Sequence, residues 1–432
     1  MHRVLIVTSA YAPTMIADMH RTRQLAWELP ALGWEVEILS PSVEYQPAAC
    51  VDRDSAGFFA PHSTVHRVPI LWRRLFKIAG IGTVGWRALL PLWLAGRRLL
   101  KQKHFDLVYI STAHFPLFLL GHLWRTRFKI PYILDLHDPP YKENSTHPVW
   151  APPRLKHRIS RMLAKQVEEK VIIAAQGLIA VSPTYIDEVR RHNRANEPAW
   201  SRPGRSAVIP FSVLPLDLRE AVHSSAPSGP RKGPPYRVVY VGVGGPVMAR
   251  SFRLFCRALS WLRSCCPVLC DMIRIELFGT MLGWRPGEAR HLAEIASNCG
   301  VEGLVREEPQ RVSYRRSFEL LIESDGALIF GVEDSGYMPS KLFSYALSGK
   351  PLLAVVHREG PAFAQFQRMP DLGHVLWFGQ HDEMPLEDAA QVLRDFLNES
   401  VQGQVFDRRT SLLPYLAPEM ARRHIDVFEA CV

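Results

Sequence analysis

The chain has 432 residues, with 52 Lys and Arg against 42 Asp and Glu, and a net charge of +10. That length exceeds an ordinary single domain and predicts two domains of about 200 residues each. A hydrophobic fraction of 47%, with no long low-complexity tract, excludes a disordered chain. The seven cysteines are odd in number and Cys265 and Cys266 are adjacent. This usage predicts reduced thiols and a cytosolic chain, not a disulfide framework. Cys256, Cys265, Cys266 and Cys270 lack paired C-x-x-C spacing and read as core thiols, not a zinc site. The first strand begins almost at once, at Val4, with no charged region and long apolar run before it, so the sequence reads as one without a signal peptide.

In chain order, strands are expected at Val4–Val7, Glu35–Leu39, Leu107–Ile110, Tyr132–Leu134, Leu178–Val181 and Ala207–Ile209, with helical patterns between several of them, such as Arg21–Leu32. Short apolar strands alternating with helices predict an α/β fold whose parallel sheet is covered on both faces. Two places at the carboxyl ends of these strands carry chemistry. His114 follows Leu107–Ile110 in Ser111-Thr-Ala-His-Phe-Pro116. Asp135-Leu-His-Asp138 closes the strand at Tyr132, and alternation sets Asp135 and His137 on one side and Asp138 on the other. A carboxylate or imidazole there could orient or deprotonate a substrate hydroxyl. Asp138 before Pro139 also suits a simple turn.

The positive charge is concentrated. Arg73, Arg74, Lys77, Arg87, Arg97, Arg98, Lys101 and Lys103 fall in residues 71–104 with no acid, and Arg154, Lys156, Arg158, Arg161 and Lys165 fall in residues 150–166 with no acid. Without these thirteen the chain would hold fewer basic than acidic residues. Trp72, Phe76, Trp86 and Trp93 lie within the first segment. Cations interleaved with aromatics suit an anionic membrane surface. No nucleic-acid-binding motif accompanies them, and no nucleic acid is expected as a partner. Arg87, Pro91 and the glycines of Ile78–Gly96 argue against a spanning helix.

A segment dense in Pro and Gly, Ala226–Pro235, reads as a linker. A second alternating series follows: strands Val238–Val241, Arg274–Phe278, Leu304–Val305, Ala327–Phe330 and Pro351–Val356, and helices Phe252–Leu262, Glu288–Cys299 and Tyr314–Ile322, with a terminal helix Ala417–Ala430. Gly242-x-Gly244-Gly245 stands between a strand and a helix, where glycines let the backbone approach a pyrophosphate closely. Arg250 follows it. Further on, a helix is expected to start at Ser340, with Lys341 in its first turn, and to stop at Gly349. A strand, a loop and a helix start in that order form an anion site. A lysine in the first turn opposes the helix dipole and calls for a negative partner.

The run Pro339-Ser-Lys-Leu-Phe-Ser-Tyr-Ala-Leu-Ser-Gly-Lys-Pro351 resembles the donor-binding motif of the GT4-like glycosyltransferases (glycosyltransferase group 1). The opening Val4–Pro13, Arg21-x-Arg23-x-Leu25, Leu32–Leu39, Asp106–Ser111, Pro131–Asp138 and Leu178–Pro183 resemble the acceptor domain of that family, and Tyr240–Gly245 the start of its donor domain. The resemblance implies a GT-B fold of two Rossmann-like, doubly wound parallel-sheet domains with a cleft between them. It implies residues 1–212 as acceptor domain, 213–236 as linker, 237–416 as nucleotide-sugar donor domain and 417–432 as a helix that could cross back to the first.

The implied activity is transfer, with retention and without a metal or other cofactor, from a nucleoside-diphosphate sugar to a lipid-linked or envelope-glycan acceptor at the inner face of a membrane. Gly244, Gly245, Arg250, Ser340, Lys341 and Ser344 are the implied donor-binding residues, and Asp138 and His114 the catalytic ones. Ser344 departs from the pattern, since the family places there a glutamate that holds the ribose. No Asp-x-Asp of a metal–nucleotide site follows a strand, and Glu333-Asp334 reads as a solvated loop. A nucleotide-sugar epimerase, or a silent scaffold binding nucleotide or glycan, are the alternative readings of the same fold.

Overall fold

The structure is a computed structural model, and it describes residues 2–46, 48–53, 63–71, 83–138, 162–163, 165–193, 197–224 and 233–432. Of the basic residues singled out above, Arg73, Arg74, Lys77, Arg154, Lys156, Arg158 and Arg161 lie outside these, as do Trp72, Phe76 and residues 225–232 of the expected linker. The chain divides into two units, residues 1–210 with 417–432, and residues 211–416.

The first unit holds strands β1 (His2–Val7), β2 (Trp34–Pro41), β3 (Thr64–Val68), β4 (Leu107–Thr112), β5 (Tyr132–Leu136), β6 (Gly177–Ala180) and β7 (Ser206–Val208). Its helices are α1 (Ala17–Glu28), α2 (Val84–Gln102), α3 (Leu119–Phe128) and α4 (Pro183–His192). The strands pair in parallel in the order β3-β2-β1-β4-β5-β6-β7. Val4 pairs with Val36 on one side and Leu107 on the other. The central strands read as near-continuous apolar runs because helices cover both faces, leaving Val4–Val7, Leu107–Ile110 and Tyr132–Leu134 fully buried. β3 was not expected. It is an edge strand whose Thr64, Val65, His66 and Arg67 are partly or fully exposed, so it lacks the apolar run.

Helix α2 covers one face, burying Gly85, Ala88, Leu92, Gly96 and Leu99. Two of these glycines set its depth. A Cβ at Gly96 would run into the Trp124 ring, and one at Gly85 would lie 3.0 Å from His114 Cβ. The close approach of α2 therefore fixes the loop that carries His114. Pro91 lies inside α2, so the proline did not prevent the helix. Among the described residues no helix is long and apolar enough to cross a membrane.

The second unit begins with a helix, α5 (Pro215–Ser224), in the stretch where a linker was expected. Val213 bridges Leu416, and Tyr314 donates to Asp217 Oδ2 at 2.6 Å, so residues 213–217 are tied into this unit. Then come β8 (Tyr236–Val241), α6 (Ala249–Cys265), α7 (Pro267–Asp271), β9 (Ile273–Phe278), α8 (His291–Asn298), β10 (Val305–Glu308), α9 (Tyr314–Glu323), β11 (Gly326–Phe330), α10 (Leu342–Leu347), β12 (Leu352–His357), α11 (Pro361–Arg368), β13 (His374–Phe378) and α12 (Leu386–Gln402). The parallel sheet runs β10-β9-β8-β11-β12-β13. Phe330 packs edge to face on Phe252 and Phe255 in the core on one side of it, and Leu342, Phe343 and Ala346 pack on the other. The last helix, α13 (Ala417–Glu429), belongs to the first unit, where Phe428 lies 5.3 Å from Trp34 and 5.2 Å from Tyr109. All seven cysteines are free thiols.

Candidate functional site

Both sheets reverse direction of winding at their first strand: β1 lies between β2 and β4, and β8 between β9 and β11. In such sheets the crevice for ligands opens at the carboxyl ends of the strands flanking that point. The charged and glycine-rich residues of this chain gather at those two places.

In the first unit the carboxyl ends of β1, β4 and β5 meet in a buried ionic cluster. Asp18, in the first turn of α1, accepts from Ser9 Oγ at 2.5 Å, from Thr112 Oγ1 at 2.7 Å and from the Ala113 amide at 3.2 Å. Asp135 accepts at one oxygen from Tyr109 at 2.7 Å and Ser111 at 2.8 Å, with Arg21 Nε at 3.2 Å. His137 lies between the two carboxylates, its Nε2 2.8 Å from Asp135 and its Nδ1 3.3 Å from Asp18. Burial pushes this imidazole down, but the two carboxylates outweigh it and hold it up at about 9. It is an imidazolium donating from both nitrogens, and not a base at neutral pH. Burial raises Asp18, yet the His137 hydrogen bond and charge, with His114 and Ser9, bring it down to about 2. Asp135 is likewise held well below the usual carboxylate range, against its burial, by Arg21 and His137. Two cations and two anions thus balance in a site closed to water.

His114 stands at the mouth of this cluster. It is half-buried, and its amide donates to Thr112 Oγ1 at 3.0 Å, the same hydroxyl that donates to Asp18. Asp138 is exposed at the end of β5, while Asp135 and His137 are brought together as alternation predicts. Asp18, Arg21, Tyr109 and Ser111 were not singled out from the sequence. Asp18 in a first helical turn reads only as a favourable dipole charge.

In the second unit the glycine loop follows β8. Gly245 has φ +81°, a conformation only glycine adopts without strain. The Gly244 amide donates to Thr280 O at 2.8 Å, binding this loop to the one after β9. Lys341 is the residue immediately before α10, so the helix starts two residues later than expected. Its ammonium donates to the Val241 carbonyl, and a Cβ on Gly242 would lie 2.5 Å from its Nζ. Tyr345 holds the same residue, donating to Val241 O at 2.9 Å and accepting from Val241 N at 3.0 Å. Burial pushes Lys341 down to about 7, and the charge of Arg311 adds to this. Arg311, in the loop after β10, is the cation that acts on Lys341, and the sequence did not point to it.

Arg250, in the first turn of α6, is placed differently from the expected clamp. Its guanidinium donates to the carbonyls of Gln380 at 3.1 Å and Asp382 at 3.3 Å and lies over the Phe378 ring at 5.3 Å. Ser340 is half-buried beside Lys341, and Ser344 is half-buried on α10 between the buried Phe343 and Tyr345. Among the described residues no three His, Cys, Asp or Glu converge as metal ligands.

Residues 20–204 match the family described as glycosyl transferase 4-like domain. Anabaena HepE in complex with UDP-glucose shares the fold over 100% of both chains at a TM-score of 0.59 and 14% identity. WaaG, a glycosyltransferase involved in lipopolysaccharide biosynthesis, matches over 99% of this chain and 95% of its own at 0.56 and 13%. The UDP-forming α,α-trehalose-phosphate synthase of Burkholderia vietnamiensis matches over 99% and 97% at 0.59 and 15%. No curated protein sequence is a significant match. The first unit carries a glycosyl transferase 4-like domain, and the fold is GT-B.

Proposed function

We propose that this chain transfers a sugar, with retention and without a metal, from a nucleoside-diphosphate donor to a lipid-linked or envelope-glycan acceptor. The observation that carries the donor half is the Lys341 ammonium lying against Gly242 at the carboxyl end of β8. A lysine ammonium beside a glycine loop that admits close backbone approach suits a diphosphate, and it acts on rate because negative charge grows on the departing nucleotide. Gly244, Gly245, Ser340 and Lys341 bind the diphosphate in this reading, and Arg311 adds charge. Arg250 joins only by exchanging the Gln380 and Asp382 carbonyls for phosphate oxygens. Ser344 replaces an ionic ribose contact with a neutral one. Lys341 supplies positive charge where other enzymes use a cation. Support for a nucleotide-sugar donor comes from HepE, described with UDP-glucose.

For the acceptor half, His114 and Asp138 are the accessible polar groups at the carboxyl ends of β4 and β5, and they orient the acceptor hydroxyl. His137, Asp18 and Asp135 are buried and act by holding that loop. A membrane-bound acceptor is favoured by α2, whose solvent side shows Leu90 and Leu94 at 49% and 50% exposure, with Arg98 and Lys101 exposed and Trp93 and Arg97 stacked at 5.6 Å. Two other basic residues of that segment are engaged within the unit: Lys103 pairs with Glu37 and Arg87 donates to Leu71 O. The reading places the chain in the cytoplasm, peripherally bound to the inner face of the cell membrane.

A turnover assay with labelled nucleotide sugars and membrane extract tests this. Label in a glycan or lipid product supports transfer. Epimerised donor would identify an epimerase, and binding without turnover a silent scaffold.

A further inference from the structure

The buried cluster of the first unit continues into a helix more than 280 residues further along the chain. His424, on α13, is fully buried. Its Nδ1 is 2.7 Å from Met420 O and its Nε2 3.1 Å from the Tyr109 hydroxyl, which is itself 2.7 Å from Asp135 Oδ2. Asp135 in turn holds His137 at 2.8 Å. The groups around the His424 ring are Tyr109 from β4, Asp135 from β5, Arg21 from α1 and Arg423 from its own helix.

Counting protons gives this chain of contacts a definite sense. Burial and the Arg21 charge lower His424 to about 3, so the ring is neutral at ordinary pH. The Met420 carbonyl accepts, so the one ring proton is on Nδ1, and Nε2 is an acceptor. Tyr109 has a single proton and lies between two acceptors, Nε2 and the Asp135 carboxylate. The shorter contact and the charge favour Asp135, and His424 draws on the same proton.

We propose that His424 is a positioning residue: by sharing the Tyr109 proton it sets how strongly Asp135 holds the His137 imidazolium at the carboxyl ends of β1, β4 and β5. That this cluster serves the acceptor rests on the reading above; the relay itself does not.

The test follows the His137 ring by NMR titration in the full chain. In His424→Leu the Tyr109 proton goes wholly to Asp135, which becomes a weaker base, and the His137 midpoint falls by about half a pH unit. In Tyr109→Phe the carboxylate loses a donor, and the midpoint rises by about as much. His424→Gln, whose amide oxygen can take the place of Nε2, stays near wild type. A helix that merely packs would leave His137 unmoved in His424→Leu, while Tyr109→Phe, which removes a donor from Asp135, would still raise it. An unchanged midpoint in folded His424→Leu, or shifts of His424→Leu and Tyr109→Phe in the same direction, overturns the proposal. If His424→Leu does not fold, His424→Phe, which also removes the acceptor at Nε2 but keeps a ring, takes its place, with an unchanged midpoint overturning the proposal. Opposed shifts in a chain that shows no sugar transfer would uphold the relay and reject the glycosyltransferase reading.

Discussion

Lys341 Nζ occupies the space that a side chain at Gly242 would need, 2.5 Å from where its Cβ would stand. The glycine and the lysine are about a hundred residues apart, and the carboxyl end of β8 brings them together. Gly242→Ala is therefore expected to fold, because Nζ is the far end of a flexible chain, but to push the ammonium off the Val241 carbonyl. Nucleoside-diphosphate affinity falls by about ten-fold or more, read by calorimetric titration, with little change in melting temperature. Unchanged affinity would show that the ammonium does not meet phosphate where it stands.

The depressed Lys341 gives a pH signature. Held at about 7 by burial, it is a cation below that pH and neutral above it. A diphosphate binds the cation, so affinity is expected to be highest below pH 7 and to fall as pH rises through it, with proton uptake on binding near pH 8. Titrations in buffers of different ionisation enthalpy measure that uptake. No uptake would contradict a phosphate role for the group.

His137 links the stability of the first unit to pH from both sides. Its folded value of about 9 lies above the ordinary 6.5, so its contribution is complete below pH 6.5 and is lost as pH rises through 9. Asp18, lowered from 3.8 to about 2, contributes above pH 3.8 and loses this as pH falls through 2. His137→Phe leaves two buried carboxylates with one cation fewer and should cost about 3–5 kcal/mol in denaturant unfolding. A cost within about 0.5 kcal/mol would place the ring outside the ionic network.

Much of this was legible in the chain and some was not, for identifiable reasons. β1, β4, β8 and β11 announce themselves because strands covered on both faces need uninterrupted apolar runs. The edge strand β3 has no such need, and His66 and Arg67 hide it. Asp135 and His137 share a side because strand residues two apart must. Their partners Asp18, Tyr109 and His424 come from a first helical turn, a buried strand and an amphipathic helix, where each residue has an ordinary local explanation. Arg311 lies in a loop with no pattern around it. The stretch 213–224 was masked by the Pro- and Gly-rich segment that follows it.

Ser344 is half-buried on α10. Ser344→Glu is expected to fold and to bind nucleotide sugar more tightly by an added charge-assisted contact to the ribose. Loss of folding would show instead that the position is core.

The solvent side of α2 predicts salt-sensitive binding to anionic vesicles. Each cation near such a surface contributes about 1 kcal/mol, so changing Arg97, Arg98 and Lys101 to Glu should release the chain in a sedimentation assay while nucleotide affinity is retained. Equal binding to neutral and anionic vesicles would remove the membrane surface and favour a soluble acceptor.

The central claim is sugar transfer from a nucleoside diphosphate held by Lys341. It is tested most directly by incubating wild type and Lys341→Ala with labelled nucleotide sugars and membrane extract, and following label into lipid-extractable and glycan products. The account predicts product from wild type and a loss of about a hundred-fold or more in a folded Lys341→Ala chain. Equal product from both, or donor recovered unchanged or epimerised with wild type, would contradict it.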